Sequence, residues 1–554
     1  EEIFSEVIIM NKKIVALLVL ICLLAGVLSA CGKDKEINII YPIVSDPECV
    51  DPQIAETDSA KLIVQNCMEG LVRIGSDGKI LPGVAEKWEV SEDGLTYTFH
   101  LRSDTNWQTL RSHKNVLGED YAEKFNTKVT AQDVVFGIRR ALRPETKAED
   151  AYLLFPIKNA EKVYEGSANE KNLGISAPDD STVVIELQRA YPDLLRVLTY
   201  PMCMPCNEEF FEATGAKYGL ELKYTLCNGP FYIGKWVSDG SLTLYKNEGY
   251  KGSAAVGAQA VYLNINANEQ QRISKFNQGD YNVISLTAEQ YDSIKKSDEI
   301  NVLSSNNITE AFIFNFNDKY LSNDNIRKAL IHATDVSDFS KDGKTNLCKG
   351  LVPDSCRWGE SSYRDTVGKV NLPVYSADTA SNYFKKGLDE LDTTNISVTI
   401  LCPEKYRNST IRAIQRWEEV FGLSITVSVK ATEREDIEKA VADGDYQIAL
   451  YSLAADDDSA LKFLNRFNSQ SDDNFAKFED SDYDKLISDC MSQSAGEDIC
   501  SSCKYAEQFL INNGIVYPVF YESSYIAFSG DANGVYAIAG LTVPDFSLRK
   551  AAKQ

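Results

Sequence analysis

Residues able to break bonds are scarce in this chain. It holds three histidines, His100, His113 and His332, and has neither a His-Glu-x-x-His nor a Gly-x-Ser-x-Gly frame. No histidine-based metal site or nucleophilic triad is expected, and His332 reads as a packed or surface residue of a helix over 326–333. The run 229–235 imitates a phosphate-binding loop, but Trp236 stands where Ser or Thr must hold magnesium and Pro230 deletes a backbone donor, so a turn followed by a strand is expected. Asp480, Asp482 and Asp484 imitate a calcium loop. Lys485 and Met491 replace its glycine and its bidentate glutamate, so they read as a helix start with acids at its positive end. Cys203-x-x-Cys206 and Cys500-x-x-Cys503 have the spacing of thiolate zinc ligands if the fold joins them, and the first pair also has that of a redox motif. Packing is the simpler reading of both. Asp456, Asp457 and Asp458 differ in kind, because they directly follow an apolar strand over 448–453. Ligands of open α/β sheets bind at such carboxyl ends, although a solvated acidic loop also fits the composition.

Elements that would position these residues can be read from periodicity. Tyr97, Phe99 and Leu101 alternate with polar residues, as do Val183, Ile185 and Leu187, then Leu242 and Leu244, then Phe312, Phe314 and Phe316, which predicts half-buried strands. Thr130 with Asp133 three residues on predicts a capped helix start. From Ile396 the order becomes regular. A strand through Ile396, Val398 and Ile400 leads to a helix with Ile411, Ile414, Trp417 and Phe421 on one face. A strand through Ile425, Val427 and Val429 leads to a helix capped by Thr432, and the strand 448–453 follows. Such β-α-β-α-β order predicts α/β lobes built on mostly parallel sheets.

A net charge of −24 and pI near 4.7 exclude nucleic acid as the partner and argue against docking of the folded body on anionic lipid. At the N-terminus, Lys12 and Lys13 precede an uncharged apolar run ending Leu28-Ser29-Ala30-Cys31, after which the chain turns polar. This is the layout of an export signal, and the small residues before Cys31 resemble a bacterial lipobox. The expectation is a signal peptide over 10–30, residues 1–9 lying upstream of the true start at Met10, and Cys31 carrying the lipid. A two-chain lipid anchor would hold the body stably at the outer face of the membrane. Cys22 and Cys31 aside, eleven cysteines remain in a large body. They read mostly as buried thiols with a bridge or two.

Several blocks resemble the oligopeptide-binding proteins, the large extracellular solute receptors of bacterial ABC importers (solute-binding family 5). They are Glu69-Gly70-Leu71-Val72-Arg73 through Leu81-Pro82-Gly83-Val84-Ala85-Glu86-Lys87-Trp88, then the run from Ser91 to Arg102 with Trp107. Further on come the Thr130–Val135 helix start, Asn228-Gly229-Pro230-Phe231, a weakened helix entry from Phe316 to Leu330, and Pro518-Val519-Phe520-Tyr521. The resemblance implies a periplasmic-binding-protein-like (class II) α/β fold of two lobes with an additional domain and a ligand cleft between the lobes. It divides the chain into lobe I (36–70, 191–309 and 521–554), the additional domain (69–190) and lobe II (310–520).

It further implies a monomeric subunit that binds oligopeptides in extended form and hands them to an ABC permease and its ATPase, with no cofactor and no catalysis. By resemblance Thr57, Asp58 and Ser59 form one backbone-contacting segment and Ser452, Leu453 and Ala454 the other. Asp456 takes the ligand's α-ammonium, an ion whose burial unpaired would cost several kcal/mol. Asn228, Tyr152 and Tyr521 line the cleft. Leu453 stands where relatives carry Trp, altering a pocket near the ligand's start, and Asp457 and Asp458 make the site more acidic, favouring a cationic ligand. The 108–128 loop is longer than in relatives, with no role readable. Rival readings are the same fold binding a dipeptide, nickel complex or sugar, a receptor for a signalling peptide, and, more remotely, a surface peptidase.

Overall fold

Alternating apolar residues decide where the sheets lie. The computed structural model describes residues 36–252, 256–266, 268–294, 297–341, 346–455, 457–471, 473–492, 499–538 and 543–548, so Cys31 and Asp456 fall outside the described residues. In the first sheet, strand Ile37–Ile43 pairs in parallel with Ala258–Ile265, which continues antiparallel to Ser241–Lys246 and Phe231–Val237. Ile39, Ile43, Leu242, Leu244, Val261, Leu263 and Phe231 close one apolar core on it. The second sheet is antiparallel, in the order Ala85–Val90, Thr96–Leu101, Thr182–Glu186, Ile175–Asp179. Tyr97, Phe99, Val183 and Ile185 point into its core, as their alternation predicts. Helix Ala131–Ala141 is fixed at its start by the predicted box: the Thr130 N–H donates to Asp133 Oδ2 at 2.7 Å.

The third sheet is mixed. Its path runs Val283–Leu286, Val516–Ser529, Ile300–Phe314, Ile448–Ala454, Ile396–Pro403, Ile425–Thr432. The last three strands are parallel and are linked by helices Arg407–Phe421 and Arg434–Asp443, which is the predicted β-α-β-α-β series. Ile414, Trp417 and Phe421 bury the face of the first helix, whereas Ile411 is exposed and lies off the stripe. The second helix is not capped by Thr432. The β-branched run carries the strand on through Thr432, Glu433 takes the cap position, and the Thr432 hydroxyl donates to Asp436 at 2.8 Å. The predicted strand end at Phe316 also falls short, because Ile300–Phe314 stops two residues earlier.

Two long strands, Ile300–Phe314 and Val516–Ser529, join separate cores. Leu303, Ile526 and Phe528 pack with the first sheet's core, while Phe312, Phe314, Tyr517, Val519 and Phe520 pack beneath the helices near Trp417. Between those ends the pairing slips at Ser305–Ile308. There Asn307 Oδ1 accepts from the Ser524 N–H at 3.1 Å, and the Ser523 hydroxyl donates to Asn306 at 2.7 Å, so side chains replace ladder bonds. A two-stranded ribbon with a local break in its ladder is the natural flexure between two packed bodies. Residues from 71–226 and 311–516 meet in a third apolar cluster, and Arg196–Asp458 and Lys462–Asp150 pair across it.

Candidate functional site

Strand Ile448–Ala454 pairs over its whole length with Ile308–Phe314 on one side. On the other it pairs with the neighbouring parallel strand only at Ile448 and Ala449. Two steps further along that register stands Pro403, which has no N–H to give, and the chain then turns into the short helix Glu404–Tyr406. Leu450–Ala454 therefore presents an edge with no strand partner among the described residues. A cavity of ≈ 410 Å³ lies against this stretch, lined by Val441, Ala442, Tyr451, Ser452, Ala454, Arg466, Asp473, Phe475 and Lys477. The Tyr451 and Phe475 rings stand 5.1 Å apart at its wall. An open strand edge beside a roomy, part-polar cavity can exchange N–H and C=O bonds with an extended chain.

Each residue expected at the site has a definite place. Ser452 donates its hydroxyl to Glu310 Oε1 at 2.5 Å. Leu453 is fully buried in the shared apolar cluster, so its side chain fills core rather than reshaping an open pocket. Ala454 ends the strand, and the next N–H, of Ala455, donates to Asn307 at the ribbon's slip, 2.8 Å away. Thr57 caps helix Asp58–Cys67, its Oγ1 accepting from the Ala60 N–H at 3.2 Å. Only Thr57 of that segment is extended. Asp58 and buried Ser59 are already helical, so strand-like pairing is not open to them.

The acidic triplet does not charge the site as expected. Asp458 is buried and ion-paired with Arg196 at 2.5 Å, and Asp457 lies 3.6 Å from Lys462 while its Oδ1 accepts from the Ser459 N–H. Burial pushes the Asp458 pKa up to about 6, against the pull of Arg196. Burial alone would lower the Lys462 pKa, but Asp457 and Asp150 outweigh it and raise it. The argument for a cationic ligand therefore loses two of its three carboxylates. Tyr152 sits in this same cluster, half-buried near Asp150, Lys462 and Asp457 and hydrogen-bonded to Asn465. Lys61, in the helix that Thr57 caps, reaches Glu149 at 3.8 Å, and Lys462 reaches Asp150 at 2.9 Å. A relay of ion pairs thus links the start of that helix to the loop after the edge strand. Lys462, Arg196 and Tyr200, which borders Asp150, Asp457 and Asp458, were missed in the sequence.

Two expected cleft residues turn out to be brackets. The Asn228 amide is buried and holds both backbone groups of Glu69: it accepts from the N–H at 3.0 Å and donates to the C=O at 2.9 Å. Gly229 is required beside it, because a Cβ there would meet the Cys67 carbonyl carbon at 2.7 Å. Tyr521 is buried with its hydroxyl directed at the Gly350 and Val352 carbonyls, 3.2 and 3.4 Å away, which pins that loop rather than lining a cleft.

The first cysteine motif shows no sign of redox poise. Cys203 and Cys206 are buried thiols, and burial pushes the Cys206 pKa up to about 12, the reverse of what a reactive pair needs. Cys503 is buried in helix Ile499–Asn512, and the side chain of Cys500 lies outside the described residues. The ten described cysteines are all thiols, so the expected bridges do not occur among them. No cluster of three or more metal-ligating side chains occurs among the described residues. The 108–128 loop folds into short helices Lys114–Leu117 and Tyr121–Lys124 that seat buried His113 edge-on against Phe210, 5.1 Å between ring centroids.

Two α/β bodies joined by a ribbon, the second carrying an open strand edge beside its own cavity, have the class II-like fold of periplasmic-type binding proteins. The chain belongs to the bacterial extracellular solute-binding proteins, family 5, whose middle region matches residues 79–475. It is 26% identical over 488 residues to the dipeptide-binding protein DppE of Bacillus subtilis, covering 86% of this chain and 85% of that protein. It is likewise 26% identical over 539 residues to the oligopeptide-binding protein OppA of the same organism, covering 92% and 94%. The solved structure of Listeria monocytogenes OppA bound to peptide superposes with a TM-score of 0.68 at 23% identity, covering 94% of this chain and all of that one.

Proposed function

We propose that this chain is the lipid-anchored solute-binding subunit of an ABC importer. It binds oligopeptides in extended form at the outer face of the membrane and hands them to the permease, working as a monomer and breaking no bond. The observation that carries this reading is the unpaired edge Leu450–Ala454 against its cavity, which suits recognition of a peptide backbone with little regard to sequence. Water in such a cavity supplies hydrogen bonds to varied side chains. The names of the relatives point the same way. We assign 36–70, 191–309 and 521–554 to lobe I, 69–190 to the additional domain and 310–520 to lobe II, with lobe closure carried by the ribbon. Asp456 takes the ligand's ammonium group, and Cys31 carries the lipid.

Native mass spectrometry of the soluble body beginning after Cys31, purified without refolding, tests this reading. Acid release of a spread of short peptides with free amines is the expected result. Asp456→Asn should then weaken binding at least tenfold in titration calorimetry while the unfolding temperature holds. A single non-peptide molecule in the cleft overturns the peptide reading, and unchanged affinity overturns the role of Asp456.

A further inference from the structure

Arg434 opens helix Arg434–Asp443 and stands where the ribbon, the edge strand and a helix of the opposite body converge. Its Nη1 donates to Glu310 Oε1 at 2.8 Å and its Nη2 to Glu522 Oε2 at 3.0 Å. These two glutamates sit on the two long strands, on the Trp417 side of the slip at Ser305–Ile308. The same Nη2 lies 3.6 Å from the carboxylate of Glu289. Glu289 belongs to the far side. Its short helix Ala288–Tyr291 follows strand Val283–Leu286, which pairs with the distal part of Val516–Ser529, and Tyr291 stacks on Tyr525 at 4.3 Å. Arg434 therefore spans the flexure, with one contact beyond it and two on the near side.

The near-side contacts are tied to the edge strand. Glu310 Oε1, which accepts from Arg434, also accepts the Ser452 hydroxyl. Lys405 and Tyr406 contact Glu522 from the turn that follows Pro403, so that turn belongs to the same cluster. Glu310 is fully buried and Glu522 nearly so, whereas the Glu289 side chain is 37% exposed. Rotation about the ribbon carries Glu310 and Glu522 along with Arg434. It moves Glu289 away, so that contact is the one that opening must break.

We propose that Arg434 is a positioning residue for ligand binding. It latches Glu289 across the flexure in the closed arrangement while holding, through Glu310, the Ser452 hydroxyl of the edge strand. Closure and ordering of the ligand-binding edge thereby become one event. This rests on the peptide-binding reading above. A part-exposed ion pair of this kind gives a modest but measurable bias, a two- to fivefold change in an equilibrium constant.

The test uses Glu289→Gln, which removes the far contact, and Glu289→Lys, which reverses it, at a position exposed enough to tolerate both. With peptides recovered from the wild-type protein, E289Q should dissociate two- to fivefold faster and E289K about tenfold faster. Unfolding temperatures should be unchanged, which separates a latch from a merely structural pair. Raising salt should bring the wild type toward E289Q. Wild-type dissociation rates in both variants overturn the latch. If the wild-type protein binds no peptide, the peptide reading fails on its own, and small-angle scattering of the ligand-free proteins still decides the latch. A larger radius of gyration for E289K supports it, and equal radii overturn it.

Discussion

Asn228→Ala separates a bracket from a ligand contact. Asn228 is 4% exposed and Glu69 3%, and the amide satisfies both backbone groups of Glu69. Truncation strips the partner from a buried N–H and a buried C=O at once. Each such loss costs about 1–3 kcal/mol, so the expected destabilisation is about 4 kcal/mol. For a cooperative unit of 150–250 residues, ~2–4 °C per kcal/mol translates this into a fall of roughly 8–16 °C in the unfolding midpoint. Asn228→Asp should not rescue the fold, because a carboxylate keeps the acceptor for the Glu69 N–H but turns an oxygen on its C=O. Circular-dichroism melts of ligand-free protein at one pH measure the effect, and calorimetric titration with recovered peptides at a temperature well below the midpoint measures affinity. An unchanged midpoint together with lost affinity would refute the reasoning and return Asn228 to the cleft.

Two further outcomes follow from buried ionisable groups. Burial raises the Glu310 pKa to about 7 and those of Asp133, Asp193 and Asp458 to about 6, while burial lowers that of His113 to about 4. A raised carboxyl pKa means the folded state holds protons the unfolded state has released, so stability falls as pH rises from about 4 toward 7. His113 works the other way between 6.5 and 4. A shift of two units corresponds to about 3 kcal/mol, and four carboxyls outweigh one imidazole. The unfolding midpoint should be higher at pH 5.5 than at pH 7.5, and the reverse order would show these carboxyls to be less buried than described. Among the ten described cysteines, only Cys49 is not buried, and burial raises the pKa of Cys203, Cys206, Cys348 and Cys356. Iodoacetamide at pH 8 should therefore mark at most Cys49 among them in the native protein and the others only after unfolding. Native labelling of Cys203 or Cys206 would restore the redox reading.

Local patterns carried much of the fold. The alternation at Tyr97–Leu101, the box at Thr130 and Asp133, and the parallel series from Ile396 onward each express short-range physics, and each stands where the sequence places it. The Thr432 cap failed because a β-branched run favoured continuing the strand over starting the helix. The site was legible only in part. Strand Ile448–Ala454 can be read from its apolar run, but its open edge depends on how far the neighbouring strand follows it, which no local signal reports. Arg196 meets Asp458 across 262 residues and Lys462 meets Asp150 across 312 and lies 3.6 Å from Asp457, so two acids that look available in sequence are neutralised by partners only topology can supply. At Asn228 the family motif serves a turn's architecture, bracketing the Glu69 backbone, a use that no local signal separates from a place in the cleft.

A strand edge left open on one side is open to another copy of itself as well as to a ligand. Exposed strand edges template sheet growth between molecules, and natural proteins keep them short or interrupted. Here the free stretch Leu450–Ala454 spans roughly 17 Å at about 3.3 Å per residue. That is shorter than the six- or seven-residue segments that seed stacked fibrils. Ile448 and Ala449 are sealed on both sides, and the proline that opens the edge also sets where it begins. The open edge is thus confined to a length too short to template sheet growth between copies of the chain.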